Sequence, residues 1–328
     1  MKLSKAHLFL SILFLVFVSQ TYAGEKSRPV ATYSIVAHDS VTGQLGVAVQ
    51  SNWFSVGSIV SWAEAGVGAV ATQSFVDPSY GPLGLDLMRA GKSAEQTLSA
   101  LLKADEHIDV RQVAMVDAAG KVSAHTGSNC IVYANHVTGP GFSCQANMME
   151  KSTVPAAMAG AYSEAKGDLA ERLMIALEAA QAEGGDIRGK QSVALLVVDG
   201  EPSGTPWNSR IHDLRIEDHK TPLVEMRRLL HVSRVYQHAN HGDELMTENK
   251  IPEAMQAYTK AMELAPDNLE MVFWPAVTLA SIDKIDQAMP LFKKVFAKED
   301  RWKELLKRLP AAGLISQQAV DEVLKKVN

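Results

Sequence analysis

The chain is poor in cysteine, with two, Cys130 and Cys144, among 328 residues. Two thiols with no completing histidine spacing do not make a tetrahedral zinc site. In an oxidising compartment they could pair, and closing so short a loop would add ~3 kcal/mol if unstrained. As buried free thiols they would be inert, and the sequence leaves both states open. A long basic run is also missing, and the net charge is −5, which argues against nucleic acid as a main partner. No GxGxxG follows a strand, no Walker loop is present and no GxSxG elbow occurs. These absences remove the dinucleotide, nucleotide-phosphate and serine-elbow hydrolase motifs from consideration. Nothing in the chain calls for a metal or an organic cofactor.

What is present is enough for two domains. Hydrophobic residues make up 47% and charged residues 21% of the chain, so a sizeable core can be buried. The N-terminus reads as a secretory signal over residues 1–23. Lys2 and Lys5 form a positive start, Leu8 to Val18 is an apolar run of eleven, and Ala23 closes a polar exit. That run is too short for a comfortable membrane span. No cysteine lies near the cleavage point, so a lipid anchor is disfavoured. The mature protein is expected to start near Gly24 and to work in the periplasm or outside the cell, with no stable membrane insertion.

After a polar leader at 24–30, a first domain is expected over 31–230. Thr32 to Ala37 and Gln44 to Gln50 read as strands joined by the turn Asp39-Ser-Val-Thr-Gly43. Gly66 to Gln73 reads as a third strand, built almost wholly of small residues and so packed between layers. Pro82 to Ala104 reads as helix with a break at Gly91 and a capping box from Ser93 to Gln96. Val110 to Val116 and Lys121 to Thr126 form a further hairpin. Val154 to Glu183 reads as a long alanine-rich helical region and Gln191 to Val198 as a continuous buried strand. Asp213 to Leu230 supplies an edge strand and a helix. Hairpins rather than βαβ crossovers indicate an antiparallel α+β domain with sheets covered by helices.

A different pattern occupies 238–328. Gly242, Leu245, Ala254, Tyr258 and Ala261 recur 34 residues later as Ala276, Leu279, Ala288, Phe292 and Val295. That period, with small residues where helices cross, resembles the tetratricopeptide repeat. The second unit is degenerate and carries Pro275 in its first helix, and Trp302 to Lys326 is expected to cap the array. So short an array needs packing on the first domain or on a protein partner.

The segments ATYSIVAHD, GVAVQSNWFSVGSIVSWAEAGVGAVATQSF, PSYGPLGLDLMRAG, FSCQANMM and GKQSVALLVV together resemble domain-of-unknown-function family 1028. That family is grouped with the N-terminal-nucleophile (Ntn) hydrolase-like proteins. The resemblance covers about Ala31 to Leu230. It implies a four-layer αββα sandwich, amide-bond hydrolysis, and assembly into a homo-oligomer through sheet edges and helical layers. It also places a nucleophile at Thr32. A hydroxyl is a poor nucleophile without a base. A free α-amine, with a reference pKa near ~7.7–8, can serve as that base within the same residue. Cleavage after Ala23 would still leave eight residues ahead of Thr32, so a second cut, before Thr32, is required for this chemistry.

Other candidates are polar residues at strand ends. Asp39 closes the first strand, where it could orient a polar partner or simply form the turn. Ser51 ends the second strand with Gln50 and Asn52, and Gln73 ends the third with Thr72 and Ser74. Asn147 follows a glycine-rich turn, and Gln191 with Ser192 opens the last strand. Side-chain amides can donate to an oxyanion or fix a substrate amide; equally they can satisfy buried backbone groups. His38, His125 and His136 are candidates for titrating groups, and Trp53, Phe54 and Trp62 are candidates for a pocket mouth. Two function classes follow. One is an exported hydrolase of an amide or peptide. The other is a non-catalytic binding protein that presents its helical repeats to a protein or peptide.

Overall fold

The computed structural model of the protein describes residues 29–30, 32–205 and 207–327. The expected signal segment at 1–23 and most of the leader lie outside these residues.

The chain opens with an antiparallel hairpin, β1 (Thr32–His38) and β2 (Leu45–Ser51), in which Thr32 faces Ser51 and His38 faces Leu45. Asp39 makes the turn: its carboxylate accepts the N–H groups of Val41 and Thr42. A short strand, β3 (Ser61–Glu64), pairs with β4 (Gly68–Ser74). Nothing in the sequence marks β3, because four residues, one buried and three half-buried, give too little alternation to register; the third strand expected at Gly66 is therefore the fourth. Two helices follow, α1 (Tyr80–Arg89) and α2 (Ala94–Ala104), separated at Gly91, whose φ of 86° suits glycine. The capping box at the start of α2 is formed, with Ser93 Oγ accepting from Gln96 N–H and Gln96 accepting from Ser93 N–H.

The second hairpin is β5 (Arg111–Asp117) and β6 (Val122–Thr126). Two strands absent from the sequence reading come next, β7 (Asn135–Gly139) and β8 (Phe142–Ala146). β8 turns Phe142, Cys144 and Ala146 to the helix side and Ser143 and Gln145 to the facing sheet, and β7 is half exposed, so neither carries the unbroken apolar run of a buried strand. The long helical region expected at 154–183 consists of two helices, α3 (Val154–Glu164) and α4 (Leu169–Ala182). Gly167, at φ 109°, breaks them, and Asp168 caps α4 by accepting from Glu171 N–H. β9 (Ser192–Val198) and β10 (Arg210–Ile216) complete the strands.

The strands form two antiparallel sheets, one of six in the order β10-β9-β2-β1-β8-β7 and one of four in the order β3-β4-β5-β6. β1 lies against β4 and β5, so the sheets stack face to face, with α3 and α4 on the outer side of one and α1 and α2 on the outer side of the other. Strand alternation sorts the side chains. Tyr33, Ile35 and Ala37 face α3 and α4, while Val36, Val47, Val49, Ala71, Ala114 and Leu196 fill the space between the sheets. The third apolar layer holds Val70, Leu85, Leu98 and Met115 under α1 and α2.

A single helix, α5 (Pro222–Thr247), packs on β10 and α4 and continues into the C-terminal helices. His212 of β10 is buried, with its Nδ1 2.9 Å from Ser233 Oγ of α5. Burial lowers its pKa from 6.5 to about 4, against the attraction of Asp168. The folded protein therefore resists a proton that the unfolded chain accepts. Between pH 6.5 and 4 the unfolded chain binds more protons, so stability falls as pH drops through that window, by about 3 kcal/mol in full. Urea unfolding at pH 7 and pH 4.5 should show this loss, and a His212→Asn variant should show less of it.

The remaining helices are α6 (Ile251–Leu264), α7 (Glu270–Ser281), α8 (Ile285–Lys298), α9 (Arg301–Arg308) and α10 (Gln317–Val327). The 34-residue pattern maps onto their contacts: Ala254, Tyr258 and Ala261, like Ala288, Phe292 and Val295, are buried. Gly242 lets α5 approach α6 closely, since a Cβ there would lie 2.4 Å from the Tyr258 ring. Gly242→Ala should cost about 2 kcal/mol through overpacking, read as a lower denaturant midpoint for the helical region.

Candidate active site

At one end of the sandwich the space between the sheets turns from apolar to polar. β1 contributes Thr32 and Ser34, β8 contributes Ser143 and Gln145, and Asn147 follows β8. The facing sheet contributes Gln73 from β4, Gln112 from β5 and Thr126 from β6. Of these, all but Thr126 are wholly buried. Buried amides in such number require partners, and here they find them in each other.

Backbone carbonyls fix the direction of the network. Gln112 Nε2 donates to the carbonyls of Asn135 (3.2 Å) and Ala146 (2.9 Å) and to Thr126 Oγ1 (2.9 Å). Its Oε1 therefore accepts, from Gln73 Nε2 at 2.7 Å and Asn147 Nδ2 at 2.9 Å. Gln73 Nε2 also faces the carbonyls of Thr32 and Gln145, each at 3.3 Å. Gln73 Oε1 then accepts the Ser34 hydroxyl, Ser34 Oγ accepts Gln145 Nε2, and Gln145 Oε1 accepts the Ser143 hydroxyl. Gln112, Gln73 and Asn147 have their orientations set by oxygens that can only accept, and Gln145 follows through Ser34, whose one hydroxyl proton is given to Gln73.

Thr32 sits at the edge of this network. Its carbonyl accepts from Asn147 N–H at 3.0 Å as well as from Gln73. Its hydroxyl donates to the Val30 carbonyl at 2.8 Å. With Ala31 bonded ahead of it, the Thr32 nitrogen is a peptide amide and has no basic lone pair. In this state the hydroxyl proton is held by a carbonyl rather than by a base.

Of the residues singled out from sequence, Thr32, Ser51, Gln73 and Asn147 come together. Ser51 is opposite Thr32 in β2, and Ser192 is opposite Ser51 in β9. Asp39 does not join them: it lies at the other end of β1, roughly 23 Å away at strand rise. There it pairs with Arg172 of α4 at 2.5 Å. His38 is at that same distant end. Trp62 lines a different cavity, of about 450 Å³, with Leu85, Pro202, Arg210 and Arg215, and Phe54 is exposed. Gln112 and Gln145 are the members that sequence reasoning missed. Gln112 had a visible signal, a lone amide at the inward register of an otherwise apolar strand.

Two titratable groups border the network. His136 Nδ1 lies 2.9 Å from Thr126 Oγ1, and burial, with a smaller effect of His125, holds its pKa below the usual value. Burial raises the Cys130 thiol, partly offset by its contact with Ser74. Cys130, Thr126, Tyr133, Asn135 and His136 line a cavity of about 450 Å³ at this end of the sandwich. Both cysteines are free thiols; Cys144 lies apart on the helix-covered face of β8. Among the described residues no group of three or more His, Cys, Asp and Glu is placed to hold a metal ion, and no helix is long and apolar enough to cross a membrane.

Residues 32–226, beginning at the candidate nucleophile, match a family of unknown function (DUF1028). The chain belongs to that family. A crystal structure of a DUF1028 protein from Silicibacter pomeroyi is similar to it, with a TM-score of 0.54 and 28% identity. The similarity covers 61% of this chain and 88% of the other. No curated protein matches the chain. The DUF1028 match ends inside α5, so the helices beyond it are outside the family region.

Proposed function

We propose that this DUF1028 protein is an exported hydrolase of amide or peptide bonds, of the N-terminal-nucleophile type, with Thr32 as nucleophile. The observation that carries the reading is the position of Thr32. It opens β1 between two stacked, helix-covered sheets, it borders a wholly uncharged amide network, and it is the first residue of the family match. The layered arrangement of helices and sheets is what an Ntn-type sandwich requires.

Removal of the residues ahead of Thr32 would supply the missing base. The freed amine takes the Thr32 Oγ proton as Oγ bonds to the substrate carbonyl carbon. The same proton then passes to the departing amine as the C–N bond breaks. Water, deprotonated by the α-amine, attacks the resulting ester, releases the acid and returns the proton to Oγ. Asn147 Oδ1 is wholly buried and finds no partner among the described residues, which suits it to accept one hydrogen of the freed amine and aim its lone pair at Oγ. Gln73 holds the Thr32 carbonyl in place and thereby sets the strand end.

The helical region supports a second role, attached to the first. α5 to α8 are read as tetratricopeptide-like repeats for a protein or peptide partner. Their groove, about 370 Å³, is lined by Tyr236, Asn240, Asp243, Tyr258 and Trp274. A screen of amide and peptide substrates decides between catalysis and binding alone. Hydrolysis should appear with a chain that begins at residue 32 and be absent from one that retains residues 24–31. A folded chain starting at Thr32 that cleaves nothing in a broad screen would leave only the binding role.

A further inference from the structure

The residue two places ahead of Thr32 is held as a bound strand. Val30 N–H donates to the Ser74 carbonyl at 2.6 Å and Ser74 N–H donates to the Val30 carbonyl at 3.1 Å. These are the two hydrogen bonds of an antiparallel pair. The edge is available because β3 covers β4 only as far as Ala71; the next N–H, of Thr72, goes to Val60, and Ser74 is left to Val30. The Val30 side chain is fully buried in the apolar cluster between the sheets that includes Val49, Val60 and Ala71. Cys130, close to Ser74, lines the 450 Å³ cavity. Backbone pairing for affinity and one buried side chain for selectivity is how a sheet edge recognises an extended peptide.

We propose that the Ser74 edge is a substrate subsite for an extended peptide, selective for a small β-branched residue two positions before the bond to be cut. Residues 29–30 fill that subsite until they are removed. The proposal rests on Thr32 as nucleophile for the position of the cut, but the subsite itself binds peptide whether or not Thr32 reacts. Its selectivity follows from its walls. A valine side chain fits without exposing apolar surface, whereas a carboxylate there would be desolvated beside apolar neighbours.

The test uses a synthetic peptide with the sequence of residues 24–31 and isothermal titration. Chains beginning at residue 32, with Thr32 intact or replaced by Ala, should both bind it, and the chain retaining residues 24–31 should not. A peptide carrying Val30→Asp should bind about 100-fold more weakly, about 2.7 kcal/mol. If circular dichroism shows the shortened chain unfolded, Val30→Asp in the full chain serves instead, since it should expel the leader and create binding to the unaltered peptide. No binding by whichever chain folds, or equal binding of the Asp peptide, overturns the proposal. Binding upholds the subsite whatever the substrate screen finds, because this peptide ends before the bond to be cut and only that screen decides the hydrolase reading.

Discussion

Hydrolysis by the chain that starts at residue 32 should fall at least about 1,000-fold when Thr32 is replaced by Ala, because the group that forms the acyl intermediate is gone. Thr32→Ser, which keeps a hydroxyl on the same strand position, should retain activity within about tenfold. The pair separates chemistry from folding. Thr32 contributes to the fold mainly through its carbonyl, which accepts from Asn147 and Gln73, and neither substitution touches that carbonyl. In the unprocessed chain the hydroxyl bonds only the Val30 carbonyl among the described contacts, a contact worth about 1 kcal/mol at most. A large loss of kcat with little change in unfolding midpoint is therefore the expected signature. Parallel losses in both Ala and Ser variants would place the chemistry elsewhere.

The second large effect belongs to Gln112. Its amide meets five partners: three acceptors through Nε2 (Thr126 and the carbonyls of Asn135 and Ala146) and the donors Gln73 and Asn147 through Oε1. All five contacts are hydrogen bonds, and Gln112→Leu would leave their partner atoms buried without water. At about 1–3 kcal/mol for each orphaned buried group, tempered by partial re-pairing, the cost should be about 4 kcal/mol. For a domain of this size that is roughly a 10 °C fall in Tm. Calorimetry of the variant measures it directly. Asn147→Leu disturbs one bond of the same network, Nδ2 to Gln112 Oε1, and should cost much less.

Much of this architecture was legible because the apolar pattern was strong. The β1–β2 hairpin, the β5–β6 hairpin, the capping box at Ser93 and the buried strand β9 carry clear alternation, turn or cap chemistry or, for β9, an unbroken apolar run. β7 and β8 were not legible for the reason that makes them interesting. Their inner face holds Ser143 and Gln145, so the alternation that marks a strand runs from apolar outside to polar inside. The same reversal hid Gln145 from the candidate set, while Thr32, Ser51, Gln73 and Asn147 were found because they end strands. Asp39 also ends a strand, but at the opposite end of β1, and only pairing register distinguishes the two ends. The break between α3 and α4 turned on Gly167 and the Asp168 cap, signals overridden by the alanine-rich run around them.

The proposed catalysis depends on whether the nitrogen of Thr32 is freed. Intact-mass measurement of the protein purified from cells and assayed for hydrolysis reads this in one number. The account predicts a polypeptide that begins at Thr32. Full hydrolytic activity in a molecule whose mass retains residues 24–31 would contradict it.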